Sequence, residues 1–212
     1  MYNLNKNNYH LKPKNSNIQT PKEVSEFIFE LLRDKIENLG IILDPCCGKR
    51  SLLKPWEKMY HLFGYDVRDT YGIDIEERSE ADLITDFLTL TKQEFELDCF
   101  KDCKVKKQLI LILCNPPFNG YGNKLGSEVW LDKIIELFGK DIPIVLFVPM
   151  GFRLNGKKSG KRWAKFNNDK YPPISSIISL PRDIFTGVEF HSEILIFNIK
   201  GLEPHYFYQP HE

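Results

Sequence analysis

LILCNPPFNGYG, residues 111–122, decides how the rest of the chain is read. An apolar run rich in Leu and Ile reaches Cys114 and then stops on Asn115-Pro116-Pro117-Phe118. Proline has no N–H to give to a β-ladder, so two in succession end the strand. A buried strand therefore finishes on an amide, two rigid rings and an aromatic side chain.

Working outward from this strand, KKQLILILCNPP is the most hydrophobic of several short runs separated by helical patterns. Upstream, residues 20–40 (TPKEVSEFIFELLRDKIENLG) predict a helix. Thr20 is placed as N-cap, Pro21 at the first helical position, Glu23 as capping-box partner and Gly40 as stop. GIILDP (40–45) reads as a buried strand, and the turn CCGKR leads into a short helix around 51–63, disturbed by Pro55. YGIDIEE (71–77) is a second strand and ADLITDFL (81–88) a third, or an extended segment. Downstream, residues 128–140 predict a helix with a broad apolar stripe, DIPIVLFVP is a fifth strand, and 174–181 and 192–200 are a final pair. Continuous hydrophobic strands alternating with helices indicate a parallel sheet covered on both faces. Ligands of such sheets bind beyond the carboxyl ends of the strands, where Asp44, Asp74, Asp86 and Asn115 all fall.

Bulk properties narrow the classes. With 212 residues and 42% hydrophobic content, the chain fits one ordinary globular domain. Residues 1–17, rich in Asn and Lys, read as a loosely draped arm, leaving 18–212 as a single domain. No apolar run approaches the roughly 20 residues of a membrane span, and the N-terminus lacks the apolar core of a signal peptide, so a cytoplasmic location is expected. Lys plus Arg equals Asp plus Glu at 29 each, so any nucleic-acid footprint must be a local patch. The five cysteines read as reduced thiols. Cys99 and Cys103 have no second clear ligand pair, and no metal site is assigned.

The chemistry available to Asn-Pro-Pro-Phe is specific. The Asn115 side-chain carbonyl and the Pro116 backbone carbonyl, free of any ladder, are two rigid acceptors able to take both hydrogens of an exocyclic amine. Holding those hydrogens out of plane frees a lone pair that is otherwise delocalised into the ring, and does so where charge develops in the transition state. Phe118 offers a flat face for a planar base extruded from nucleic acid.

This motif resembles motif IV of S-adenosylmethionine-dependent N6-adenine DNA methyltransferases. The order DPCCG, GIDI, DFL, NPPF, after a Thr-Pro-led helix, is similar to enzymes whose cofactor region precedes the catalytic motif. VLFVPMGFRLNG and ISLPRDIFTGVEFHSEILIFNIKG resemble the end of Taq-like and type I modification-subunit catalytic domains. The resemblance implies a Rossmann-like class I methyltransferase fold, with a mostly parallel seven-stranded sheet, an antiparallel last strand and helices on both faces. It implies S-adenosylmethionine as cofactor and a restriction-modification setting.

Residue by residue, the resemblance implies that Asp44, Pro45, Cys46 and Gly48 wrap the methionine part of the cofactor, with Asp44 pairing its ammonium. Thr20 takes its carboxylate. Asp74 takes the ribose hydroxyls beside Ile75, with Asp66 as the competing acid. Asp86 accepts from the adenine amine, with Phe87 packed on the ring. Asn115, Pro116, Pro117 and Phe118 form the catalytic group. Arg50 stands where the family usually has a second glycine. A β-carbon and guanidinium there would crowd the cofactor, unless the helix begins a residue earlier with Ser51 as cap.

The segment 155–173 gathers Lys157, Lys158, Lys161, Arg162 and Lys165 with Trp163 and Phe166 interleaved, and reads as a flexible basic loop for phosphate contacts. GYGNKLGSE, next to the catalytic motif, reads as a closing loop. No separate target-recognition domain is expected, so either the enzyme is weakly sequence-selective, or loops or another subunit provide specificity. DNA is favoured over structured RNA as substrate. Glutamine methylation on a protein ranks lower, because relatives with that activity favour Tyr where Phe118 stands. A non-catalytic methyltransferase-fold subunit is the reading from a different class.

Overall fold

The architecture is that of a computed structural model describing residues 18–37, 39–57, 67–101, 108–118, 125–154, 156–186 and 189–209. The expected arm at 1–17, Asp66, Cys103 and the glycines of 119–124 lie outside the described residues. Five parallel strands lead the sheet: β1 (Leu39–Asp44), β2 (Val67–Asp74), β3 (Leu83–Ile84), β4 (Leu109–Cys114) and β5 (Ile144–Pro149). With β6 (Ile174–Ser179), β7 (Ser192–Phe197) and β8 (His205–Phe207), the order across the sheet is β3-β2-β1-β4-β5-β7-β6-β8. β7 runs antiparallel to both β5 and β6, as expected of the last predicted strand. β8 is an eighth strand, parallel to β6, that was not expected.

Central strands read as unbroken apolar runs because each face packs into its own core. Ile42, Leu111 and Leu113 face one side, with Val24, Ile28 and Leu32 of α1 (Lys22–Leu32). Ile41, Leu43, Ile112 and Cys114 face the other. There they meet α2 (Lys92–Cys99) and, through Leu131, Ile134 and Leu137, α3 (Gly126–Phe138). The strand period of two divides each run between the faces. Two short helices follow β5: α4 (Gly151–Leu154) and α5 (Lys161–Asn167). Among the described residues, no helix is long and apolar enough to cross a membrane.

Three local expectations need correction. Thr20 does not cap α1: Pro21 holds the N-cap position with no side-chain cap bond, and its carbonyl accepts from Val24 and Ser25 N–H. The Thr20 hydroxyl is engaged by Asn115, across 95 residues of sequence. α1 ends at Leu32, short of Gly40, and gives way to a turn in which Lys35 N–H donates to the Leu32 carbonyl. Finally, 161–167 is helical and not a flexible loop.

Candidate active site

All these features converge where β1, β2 and β4 end together, because parallel strands deliver their carboxyl ends to one edge. A cavity of about 620 Å³ opens there. Pro45, Cys46 and Gly48 line it from the β1 loop, Asp74 and Ile75 from the end of β2, and Asp86 and Phe87 after β3. Asn115, Pro116, Pro117 and Phe118 line the same cavity. Thr20 and Asp44 sit behind it. Both are buried, and they share a small adjoining pocket of about 20 Å³ with Cys46 and Asn115.

At the β4 end, the Asn115 side-chain nitrogen donates to Thr20 Oγ1 at 3.0 Å. The turn after β4 is set by contact with α3. Gly126 N–H donates to the Phe118 carbonyl at 3.0 Å, and a β-carbon on Gly126 would lie 1.7 Å from the Pro117 carbonyl oxygen. Only glycine permits this approach. Ser127 Oγ donates to the Phe147 carbonyl at 3.1 Å and ties α3 to β5. Phe118 meets Phe190 edge to face at 5.1 Å, and Phe190 stacks on Phe185 at 5.4 Å, so three rings wall this end of the cavity.

The other end is polar. Asp74 accepts from Gly48 N–H at 2.7 Å and from Glu76 N–H at 2.9 Å. Asp86 accepts from Leu88 N–H at 2.9 Å, so one of its oxygens caps a turn. Phe87 stacks on Trp130 at 5.3 Å, with the rings 11° apart. Asp44 accepts from Cys46 N–H at 3.1 Å. Burial, reinforced by the Asp74 charge, pushes its carboxyl up to about 7, against the pull of the Cys46 N–H bond and the Arg50 charge. Burial also raises the Cys46 and Cys114 thiols, whose sulfurs stand 3.8 Å apart. No cluster of three potential metal ligands occurs among the described residues.

The family model described as N-6 DNA Methylase matches residues 2–135, more than half of the chain. The chain belongs to this family. No curated protein sequence matches it. Among solved structures it resembles a class I S-adenosylmethionine-dependent methyltransferase of Listeria monocytogenes, with 17% identity and a TM-score of 0.60; the match covers 89% of this chain and 64% of that one. It also resembles a modification subunit of a type I restriction enzyme from Vibrio vulnificus YJ016, with 18% identity and a TM-score of 0.58, covering 91% and 47%. A third similar structure is the Type ISP restriction-modification enzyme LlaGI, solved with a DNA substrate mimic, at 13% identity, a TM-score of 0.60, and coverage of 92% and 28%. The chain thus spans less than two thirds of the length of each.

The chain accommodates Arg50 by turning it away from the cavity. Arg50 keeps a left-handed backbone, φ 56°, the conformation a glycine adopts freely. Its guanidinium donates to Thr70 Oγ1 at 2.9 Å, to Glu57 Oε1 at 2.8 Å and to Asp82. Gly72 leaves the room, since a β-carbon there would stand 2.9 Å from Arg50 Nη1. The cofactor-crowding expectation is therefore corrected: Arg50 does not line the cavity. Ser51 donates to Gln19 Oε1 at 3.3 Å.

The basic segment divides in two. Lys157, Lys158 and Lys161 are exposed. Arg162 and Lys165 instead anchor α5 on α3: Arg162 pairs with Glu128 at 3.3 Å, and Lys165 with Glu128 at 2.9 Å and with Asp132. Burial opposes the Lys165 charge, yet Asp132 and Glu128 hold its ammonium above the ordinary value. These two cations are committed within the fold, which corrects their reading as phosphate contacts.

Sequence reasoning also missed Trp130, Phe185 and Phe190. DIFTGVEF supported the family resemblance, but nothing in its spacing says that its two phenylalanines face a ligand and not only the core.

Proposed function

We propose that the protein methylates the N6 amine of adenine in DNA with S-adenosylmethionine as donor, and that residues 18–212 act as one catalytic domain. The observation that carries this reading is that Asn115–Phe118 and the acids Asp74 and Asp86 line a single cavity. Its volume of about 620 Å³ lies within the range of small-molecule sites and suits a cofactor with room for a base. When bound, the cofactor supplies an electrophilic methyl group on a sulfonium. Asp74 holds the ribose hydroxyls beside Ile75. Asp86 accepts from the cofactor's adenine amine through the oxygen not used in its turn, and the Phe87–Trp130 stack packs against the ring. The loop Pro45–Gly48 encloses the methionine part, with Asp44 facing its ammonium. Opposite, Asn115 Oδ1 and the Pro116 carbonyl accept hydrogen bonds from the two N–H groups of the target amine, leaving the nitrogen lone pair exposed to the methyl; one of the two protons leaves to solvent once the nitrogen is methylated. Phe118 stacks the flipped base, with Phe190 edge to face beside it.

Lys157, Lys158 and Lys161 contact DNA phosphates, and a partner subunit or loops choose the sequence. The type I modification subunit and the DNA-bound enzyme among the similar structures support this setting. The test is tritium transfer from labelled S-adenosylmethionine to DNA, total RNA and protein in parallel. Label on adenine N6 of DNA is expected. Label on RNA alone makes the protein an RNA methyltransferase, and no transfer to any of the three makes it a non-catalytic subunit.

A further inference from the structure

We propose that Trp163, with Met150 and Leu154 beside it, seats an unpaired base of the DNA next to the cavity while the target adenine is extruded; this rests on the reading of the protein as one that acts on DNA. Exposed apolar side chains gathered in one place mark a contact surface. Trp163 is 43% exposed, Leu154 56% and Met150 37%. Met150 and Leu154 are one helical turn apart, with Leu154 N–H donating to the Met150 carbonyl at 3.3 Å. The indole rests on Gly156, two residues further on, where a β-carbon would stand 3.0 Å from Trp163 Cε3. Arg162, the residue before Trp163, donates to the Gly151 carbonyl at 3.3 Å and ties α5 to α4.

Charge and position say what fits there. Arg162 and Lys165 are spent on Glu128 and Asp132, whereas Lys157, Lys158 and Lys161 stay exposed in the same segment as the indole. Phe166 turns inward against Phe152 and Tyr171, at 5.9 and 5.0 Å, so of the two aromatic rings in the segment Trp163 is the one presented. Cations around an exposed ring suit a strand in which phosphates and bases alternate, and stacking accepts any base because each has a π-face. Two connections put this surface at the Asn115 end of the cavity. Met150 N–H donates to the His191 carbonyl at 3.0 Å, directly after Phe190 of the cavity wall. Glu128, which holds Arg162, lies two residues from Gly126, the glycine pressed on Pro117. An adenine that leaves a duplex strands its partner and unstacks its neighbours. A base taken up by the indole offsets part of that cost.

Binding of fluorescein-labelled oligothymidylate, measured without cofactor, tests the proposal, because that strand holds no adenine and no methyl transfer is needed. Anisotropy titrations compare wild type, Trp163→Ala, Trp163→Phe and the triple variant Lys157→Ser, Lys158→Ser, Lys161→Ser, with a melting curve for each. Trp163→Ala should bind roughly five- to a hundredfold more weakly, the loss of one stacked base, with its salt dependence unchanged. Trp163→Phe should recover most of the affinity. The triple variant should instead lose about 0.7 of the log–log salt slope per phosphate contact removed. Unlabelled oligothymidylate should also quench the tryptophan emission of the wild type and not that of Trp163→Phe, since Trp56 and Trp130 are buried. The same strand annealed to oligodeoxyadenylate should quench far less. Wild-type affinity in Trp163→Ala overturns the proposal, and labelled methyl transfer to DNA by the wild type would then leave the methyltransferase reading intact. Equal quenching by strand and duplex overturns it too, as does quenching that persists in Trp163→Phe. A wild type that is dimeric in sedimentation, with Trp163→Ala monomeric and neither bound by the strand, overturns it in favour of a second copy on this surface. If Trp163→Ala melts too early to assay, an unquenched wild type overturns it alone. Binding and quenching that depend on Trp163, in a protein that transfers no methyl group, uphold the base seat and refute the methyltransferase reading.

Discussion

At the acidic end of the cavity the chain is held by directed polar contacts. Gly48 N–H donates to Asp74, Glu80 N–H to the Gly48 carbonyl at 2.8 Å, and Arg50 fastens the loop to Thr70, Glu57 and Asp82. At the Asn115 end the chain is held by shape: Gly126 pressed on Pro117, and Phe118 against Phe190 and Phe185. The first arrangement responds to charge and pH. The second responds to a single added carbon and is indifferent to pH. On the proposed function the first end is a cofactor grip and the second an amine clamp, and each substitution below should strike one end more than the other.

Gly126→Ala should have the largest effect. The new β-carbon would overlap backbone, not a yielding side chain, so either α3 or the turn at Pro117 must move. Methyl transfer should fall by orders of magnitude, since a displacement near 1 Å costs about a hundredfold, while cofactor affinity falls far less. Rate and calorimetry on the same preparation check the split. Unaltered turnover would show that shape does not govern this end.

Asp74→Asn comes next and should do the reverse. Losing a charge-assisted hydrogen bond to the ribose weakens cofactor binding by about 1.5–3 kcal/mol, read as Kd, with kcat at saturating cofactor little changed. An Asp74→Asn protein with wild-type Kd would move the ribose site elsewhere.

Asp44→Asn probes pH. A carboxyl raised from 3.8 to about 7 in the fold contributes stability that is complete below its unfolded value and lost as pH rises through about 7. The melting temperature of the ligand-free protein should therefore decline between pH 4 and 7, and Asp44→Asn should flatten that decline. The cofactor ammonium favours the ionised form, so wild-type affinity should rise from pH 5 to 7 and that of Asp44→Asn should not. Parallel pH profiles would remove Asp44 from the ammonium site.

Arg50→Gly should have the smallest effect. It relieves a left-handed backbone costing about 1–2 kcal/mol, and loses ion pairs whose acid partners are a third or more exposed and thus individually weak. The two contributions nearly cancel, so the melting temperature should move by only a few degrees and turnover should stay close to wild type. A large loss of cofactor affinity would show that the network sets the loop's shape.

What was legible in the sequence was what is local. β1 and β4 stand out because strands buried on both faces carry no polar interruption, and Asn-Pro-Pro-Phe ends a strand by backbone chemistry alone. What depended on distant partners was not legible. The α1 cap was misread because Asn115, 95 residues away, takes the Thr20 hydroxyl. Arg162 and Lys165 looked free because Glu128 and Asp132, one helical turn apart on α3, lie more than thirty residues upstream. β8 has three residues, none of them buried, and leaves no apolar signal. Arg50 looked obstructive because the space that Gly72 leaves for its guanidinium belongs to the neighbouring strand.

Asn115 is proposed to act on the amine and not on the cofactor. Asn115→Ala, assayed for tritium transfer to DNA and, by calorimetry, for S-adenosylmethionine affinity, tests it most directly. Turnover should fall by orders of magnitude, with cofactor Kd within about twofold of wild type. Cofactor affinity lost in step with turnover, or turnover left intact, would contradict it.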